Sequence, residues 1–124
     1  AIVAKQRRNA MEVEAMNLVG DVQGSNALPV DDLSTTGGTL SEAARLLREH
    51  GACSVNAAVT HAMLTGEGID RIKAAGIEEL VTTDSVPSKD WRGLAVQVLS
   101  VADLLGEAMV RIHSNQSVSS LFEV

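Results

Sequence analysis

The run Val30-Asp31-Asp32-Leu33-Ser34-Thr35-Thr36-Gly37-Gly38-Thr39 constrains this chain more than any other stretch. An apolar segment leads into two acids, and a small, hydroxyl-rich turn then opens a helix. A strand end can hold two carboxylates in fixed positions. Thr35, Thr36 and Thr39 supply hydroxyls, and Gly37 and Gly38 let the backbone curl until successive N–H groups point at one spot. The helix start adds unpaired N–H groups and a partial positive charge. Together these make a phosphate cradle beside an acidic pair, suited to a sugar phosphate whose hydroxyls face the acids. No Gly-Lys-Ser/Thr follows the glycines, so the stretch is not a Walker A loop. The glycines are adjacent, so it is not a dinucleotide fingerprint either. From the residues alone the competing reading is a helix cap beside two surface acids.

The rest of the chain supplies alternating strands and helices. Ala1 to Ala4 reads as a short buried strand and Lys5 to Glu14 as a mobile loop with a basic start. Met16 to Val22 reads as a β segment entering a turn at Gln23 to Asn26. Ala27 to Val30 is expected to be a strand, although Pro29 cannot donate to a ladder. Leu40 to His50 carries an apolar stripe at helical spacing and stops at Gly51. Then come a strand at Ser54 to Thr60, a loop from His61 to Gly68, and a short helix from Ile69 to Ala75. Strands at Glu79 to Thr83 and Ala95 to Leu99 flank a turn at Asp84 to Pro87. Ser100 and Asp103 have the spacing of a capping box for a final helix. In that helix Val101, Leu104, Leu105, Ala108, Met109 and Ile112 are expected to face the core. Such alternation predicts an α/β fold, with a mainly parallel sheet and helices on both faces. Ligands then sit beyond the carboxyl ends of the strands, where Asp31, Asp32, His61 and Asp84 are expected.

Composition limits the function classes. The 124 residues suffice for one domain, and a hydrophobic content of 45% sits in the globular range. A net charge of −6 argues against non-specific nucleic-acid binding. No stretch approaches the roughly 20 consecutive apolar residues of a membrane span. The single Cys53 excludes an internal disulfide and a Cys-rich zinc site. It fits a reducing compartment, and with no signal peptide in view a cytoplasmic location is expected. Cys53 itself reads as a small buried hydrophobe. The chain starts with Ala inside an apolar run, which predicts a processed chain or a piece of something longer. His61 reads as a loop-bonding histidine, with a base or phosphate donor as its alternative role. His50 and His113 sit in last helical turns, where a cation is favourable. No His, Cys and acid cluster has metal-ligand spacing, so a divalent ion would arrive bound to phosphates.

The stretch from Val30 to Leu40 resembles the signature of the type I phosphoribosyltransferase fold. Ala1 to Arg7, Met16 to Val22, Arg111-Ile112-His113 and Ser117 to Phe122 narrow the resemblance to the ribose-phosphate pyrophosphokinases. The resemblance runs end to end. It implies a Rossmann-like three-layer α/β domain, here the C-terminal part of such an enzyme, over residues 1–124. The first elements of that domain and a whole N-terminal domain would be missing. The implied reaction moves the pyrophosphoryl group of Mg-ATP to O1 of ribose 5-phosphate, with Mg2+ entering with the ATP. Asp31 and Asp32 would hold the ribose hydroxyls, and Thr35, Thr36, Gly37, Gly38 and Thr39 the 5-phosphate. Lys5 and Arg7 would be the catalytic cations that stabilise the group in transfer. Ser117, Ser119 and Phe122 would match a regulatory region binding phosphate or ADP between subunits, in a homo-oligomer that is commonly hexameric. The chain departs from the family pattern at Ala4 and Thr35, where acids are usual or common, and at Pro29, where a branched aliphatic is usual. Two rivals stand beside this reading. One is a non-catalytic or regulatory relative or fragment that binds sugar phosphate, and the other is a phosphoribosyltransferase.

Overall fold

The computed structural model describes residues 1–6, 15–87 and 89–122. Its centre is a four-stranded, wholly parallel sheet in the order β4-β6-β7-β8: Val30–Ser34, Ala57–Ala62, Glu79–Thr83 and Ala95–Leu99. A short parallel pair, β3 (Asn26–Ala27) with β5 (Ser54–Val55), precedes β4 and β6 in the chain. Strands β1 (Ile2–Gln6) and β2 (Ala15–Val19) form a separate antiparallel pair. Helices α1 (Gly38–Glu49) and α2 (Gly66–Ala74) make the connections after β4 and β6. Helix α3 (Ala102–His113) follows β8, and a 3₁₀ turn spans Ser119–Phe122. The expected class holds: a mixed α/β fold with parallel sheets flanked by helices.

Local chemistry explains most boundaries. Strand β7, Glu-Leu-Val-Thr-Thr, alternates half-buried and buried positions, as a strand between two neighbours packed on one face should. Thr65 caps α2, its Oγ1 accepting from the Gly68 N–H at 3.1 Å. Helix α1 ends in a Schellman motif: Gly51 has φ 88°, and the N–H groups of Ala52 and Gly51 donate to Leu47 O and Arg48 O at 3.0 Å each. Leu40, Ala44 and Leu47 of α1 meet Ile69 and Ile72 of α2 over Val55, Val59 and Leu80 in one buried cluster. Full burial of each large aliphatic contributes about 1.5–3 kcal/mol.

Several expectations are corrected. The strand expected at Ala1 to Ala4 runs to Gln6 and takes in Lys5, a residue expected in the loop. Its start is not buried: Ile2 is 68% exposed and Val3 half-buried. Arg7 and the rest of the expected loop lie outside the described residues. The single strand expected at Ala27 to Val30 is two strands, with Pro29 between them. Pro29 thus meets no demand for a donor, while its carbonyl accepts from Ala58 N at 2.9 Å. His61 and Ala62 finish β6 instead of opening a loop, and α2 starts at Gly66. Cys53 is exposed.

The capping box at Ser100 is not formed. Val101 is the N-cap, and the Ser100 hydroxyl donates to Asp84 Oδ2 at 2.6 Å while its oxygen accepts from Ala102 N at 3.2 Å, not from Asp103 N. The apolar stripe of α3 does not reach the core: the helix has no buried residue, and Leu105, Met109 and Ile112 are 50%, 65% and 66% exposed. Helical spacing identifies an apolar face but not what lies opposite it.

Candidate functional site

The site forms where β4 hands over to α1. Asp31 and Asp32 lie within β4, Asp31 level with Val59 of β6, and not beyond the strand end as expected. The ladder starts late, at Val30, because Pro29 separates β3 from β4, so the acids fall inside it. Asp31 is half-buried and Asp32 exposed, and Asp31 Oδ1 accepts the backbone N–H of Asp32 at 3.0 Å. That bond leaves one Asp31 oxygen and the whole Asp32 carboxylate without a hydrogen bond among the described residues.

Thr35, Thr36 and Gly37 make the turn, and Gly38 and Thr39 open α1. Gly37 is the N-cap, at φ 68° and ψ 4°, and no side chain caps the helix. A left-handed residue leading into a right-handed turn gathers backbone N–H groups into an anion-binding concavity. With no side-chain cap, the first N–H groups of α1 remain available to an anion. The turn is held from behind by α2. Thr35 O accepts from Thr65 N at 3.0 Å, and Thr36 O accepts from Arg71 Nη1 at 3.2 Å. A Cβ at Gly37 would stand 2.7 Å from Gly68 O and 2.7 Å from Ile72 Cγ2, and one at Gly68 would stand 3.0 Å from Thr35 O. Thr65, Gly68 and Arg71 are the supports that sequence reasoning missed. One signal was available: a glycine inside a helical pattern costs stability unless close packing needs it, as at Gly68.

Asp31 and Thr39 line one groove of about 740 Å³, with Ile2, Val22, Leu28 and Leu40 among its walls. Asp32 of β4, Thr35, Thr36 and Gly37 of the turn, and Gly38 of α1 lie outside that lining. Lys5 occupies a β1 position level with Met16, and Arg7 lies outside the described residues. Ser117, Ser119 and Phe122 form a separate grouping. Arg111 of α3 donates to Ser117 O at 3.2 Å and to Ser120 Oγ at 2.6 Å. Ser119 N donates to Ser117 Oγ at 3.2 Å, and Phe122 is 75% exposed. These hydrogen bonds stay within α3 and the segment after it.

At the same rim, Asp84 accepts from the Ser100 hydroxyl and from Val101 N at 2.9 Å. These two bonds, the hydroxyl's first, hold its carboxyl below its ordinary value of 3.8 despite a small opposing desolvation. Asp84 therefore ties β7 to the start of α3. Among the described residues no group of three His, Cys, Asp or Glu side chains could hold a metal ion. No helix there is long and apolar enough to cross a membrane.

Comparison with known proteins places this geometry in a family. Residues 4–123 match the family model described as "Phosphoribosyl synthetase-associated domain". The ribose-phosphate pyrophosphokinase of Gloeobacter violaceus is 48% identical over 98% of this chain and 37% of its own length. That of Hyphomonas neptunium is 44% identical over 99% of this chain and 40% of its own. Among solved structures, the phosphoribosylpyrophosphate synthetase from Mycobacterium smegmatis superposes with a TM-score of 0.74 at 36% identity. It covers 82% of this chain, which spans 34% of that one. The chain thus spans about two fifths of the length of these curated relatives or slightly less. With nearly all of its residues inside the matched segment, the chain belongs to the phosphoribosyl synthetase-associated domain family, and the relatives it matches carry the name ribose-phosphate pyrophosphokinase.

Proposed function

We propose that this chain is the sugar-phosphate-binding part, the C-terminal portion, of a ribose-phosphate pyrophosphokinase. One observation carries the reading: Asp31 and Thr39 line a single groove at an uncapped helix start, in a chain whose matched relatives bear that name. The Asp31–Asp32 pair orients the ribose hydroxyls, and the Thr35 to Thr39 turn anchors the 5-phosphate through backbone N–H groups. Pyrophosphoryl transfer from ATP to O1 then depends mostly on positioning and charge neutralisation. Lys5 and Arg7 contribute the neutralising cations. Mg2+ enters as the Mg-ATP complex, held mainly by the phosphates. Ser117, Ser119 and Phe122 serve an effector phosphate or ADP in a homo-oligomer. The remaining length of the relatives supplies the ATP-binding groups.

A second reading has its own support. Because the chain spans so little of its relatives' length, a form that binds sugar phosphate without chemistry is the main rival. One chimera separates the two: the Gloeobacter violaceus enzyme with its matched segment replaced by these 124 residues. Assayed with Mg-ATP and ribose 5-phosphate, it should form phosphoribosyl pyrophosphate, and Lys5→Ala should slow turnover by roughly 10²-fold or more. A folded chimera with no turnover overturns the catalytic reading in favour of the binding one. Unchanged turnover in Lys5→Ala removes the role given to that cation.

A further inference from the structure

His61 belongs to no part of the site described above, yet it stands beside it. In the parallel ladder His61 is level with Leu33, the residue between Asp32 and Ser34. Its position on β6 is therefore one strand away from the point where the acidic pair ends and the phosphate turn begins. The side chain is exposed at the carboxyl rim of the sheet.

The ring is held from one side. Nδ1 lies 2.8 Å from Ser85 Oγ, in the turn after β7. Ser85 is itself fixed. Its hydroxyl reaches Thr60 O at 3.1 Å, Thr83 Oγ1 reaches the same carbonyl at 2.8 Å, and the Ser85 N–H donates to Thr83 Oγ1 at 3.2 Å. A hydroxyl has one proton. Thr83 Oγ1 also lies 2.7 Å from Ser85 Oγ; in the tautomer where Ser85 gives its proton to Thr60 O, Ser85 Oγ accepts from Nδ1–H. This arrangement serves the neutral and the protonated ring equally, because Nδ1 is a donor in both. Nε2 has no hydrogen bond among the described residues and is the nitrogen left for a ligand. An Nε2–H on this ring can donate to a phosphate oxygen without disturbing Ser85.

We propose that His61 is a further binding residue of this site, with Nε2 hydrogen-bonding a phosphate oxygen of the sugar phosphate and Ser85 as its positioning residue. The proposal rests on the sugar-phosphate reading above, and its test reads binding and not turnover, so the two can fail separately. A tie between the ends of β6 and β7 alone would use Nδ1 and leave Nε2 indifferent to ligand.

The test is calorimetric titration of the 124-residue chain with ribose 5-phosphate, ribose and inorganic phosphate, alongside nitrogen NMR of the imidazoles. His61→Gln should weaken ribose 5-phosphate binding about ten-fold or more, the usual loss for a hydrogen bond to a charged group. Ser85→Ala should weaken it by a smaller factor and shift the His61 ring signals in the free protein. In the unaltered chain the His61 Nε2 resonance should move on adding ribose 5-phosphate and stay still with ribose, a readout independent of any variant. Binding by His61→Gln within two-fold of the unaltered chain, or an Nε2 resonance unmoved at saturation, overturns the proposal while leaving the site intact. No binding of ribose 5-phosphate by the unaltered chain removes both.

Discussion

Replacing Gly37 with alanine tests the packing that shapes the phosphate turn. Gly37 has φ 68°, and an added Cβ would stand 2.7 Å from both Gly68 O and Ile72 Cγ2. Two terms add. The left-handed backbone costs a non-glycine residue about 1–2 kcal/mol. Overpacking a buried contact costs typically about 1–3 kcal/mol, and here one obstacle is backbone, which cannot rotate aside. The sum is a loss of roughly 2–5 kcal/mol. Gly24 isolates the first term: its φ is 69°, but nothing lies within 4 Å of its added Cβ. Gly24→Ala should therefore cost about 1–2 kcal/mol and Gly37→Ala clearly more. Urea unfolding followed by circular dichroism measures both, and at roughly 3–6 °C per kcal/mol for a domain of this size the thermal midpoints should separate visibly. Equal losses for the two variants would refute the claim that α2 buttresses the turn by contact.

Three further outcomes follow from the same structure. Thr82 is 3% exposed and its Oγ1 has no hydrogen-bond partner among the described residues, so Thr82→Val should raise stability by about 1 kcal/mol in denaturant unfolding. Met109 is 65% exposed on a helix with no buried residue, so Met109→Glu should change the stability of this chain by no more than about 0.5 kcal/mol; a loss of several would mean that α3 is anchored in the core. The Asp84 carboxyl is depressed in the fold, so its contribution is present above its ordinary value of 3.8 and is lost as pH falls through the lower folded value. The protection factors of the Val101 and Ala102 amides, exchange rates normalised to the unstructured chain at the same pH, should therefore fall only below about pH 4, and Asp84→Asn should abolish that acid-dependent change.

Several features were legible because local chemistry decides them. Strands β7 and β8 fall at their expected residues, where apolar positions alternate or run between turn residues. Helix α1 lies within two residues of expectation, since its stripe and Gly51 fix its face and its end. The turn between β4 and α1 was legible because Thr35, Thr36 and Gly37 are turn-forming residues placed just before a helical stripe. What failed depends on partners distant in sequence. Pairing across the ladder, invisible in the chain, decides that Asp31 lies level with Val59 and that His61 ends a strand. The Ser100 hydroxyl meets the helix start at Ala102 N and gives its proton to Asp84, a partner 16 residues away that no local capping pattern encodes. Periodicity found the apolar face of α3 but could not say that it points away from the core. The support that Gly68 and Arg71 give the turn comes from the packing of two helices, which no spacing rule encodes.

The central claim is that the β4–α1 joint binds a phosphorylated sugar. Titrating the 124-residue chain with ribose 5-phosphate, beside Asp32→Asn and Gly38→Pro variants, tests it most directly. Saturable binding of ribose 5-phosphate is expected, stronger than that of ribose or of inorganic phosphate alone. Binding should weaken by roughly ten-fold or more when the acid loses its charge or the turn loses a backbone N–H. Binding that both variants leave unchanged, in chains of native circular dichroism, would place the ligand elsewhere and contradict the claim.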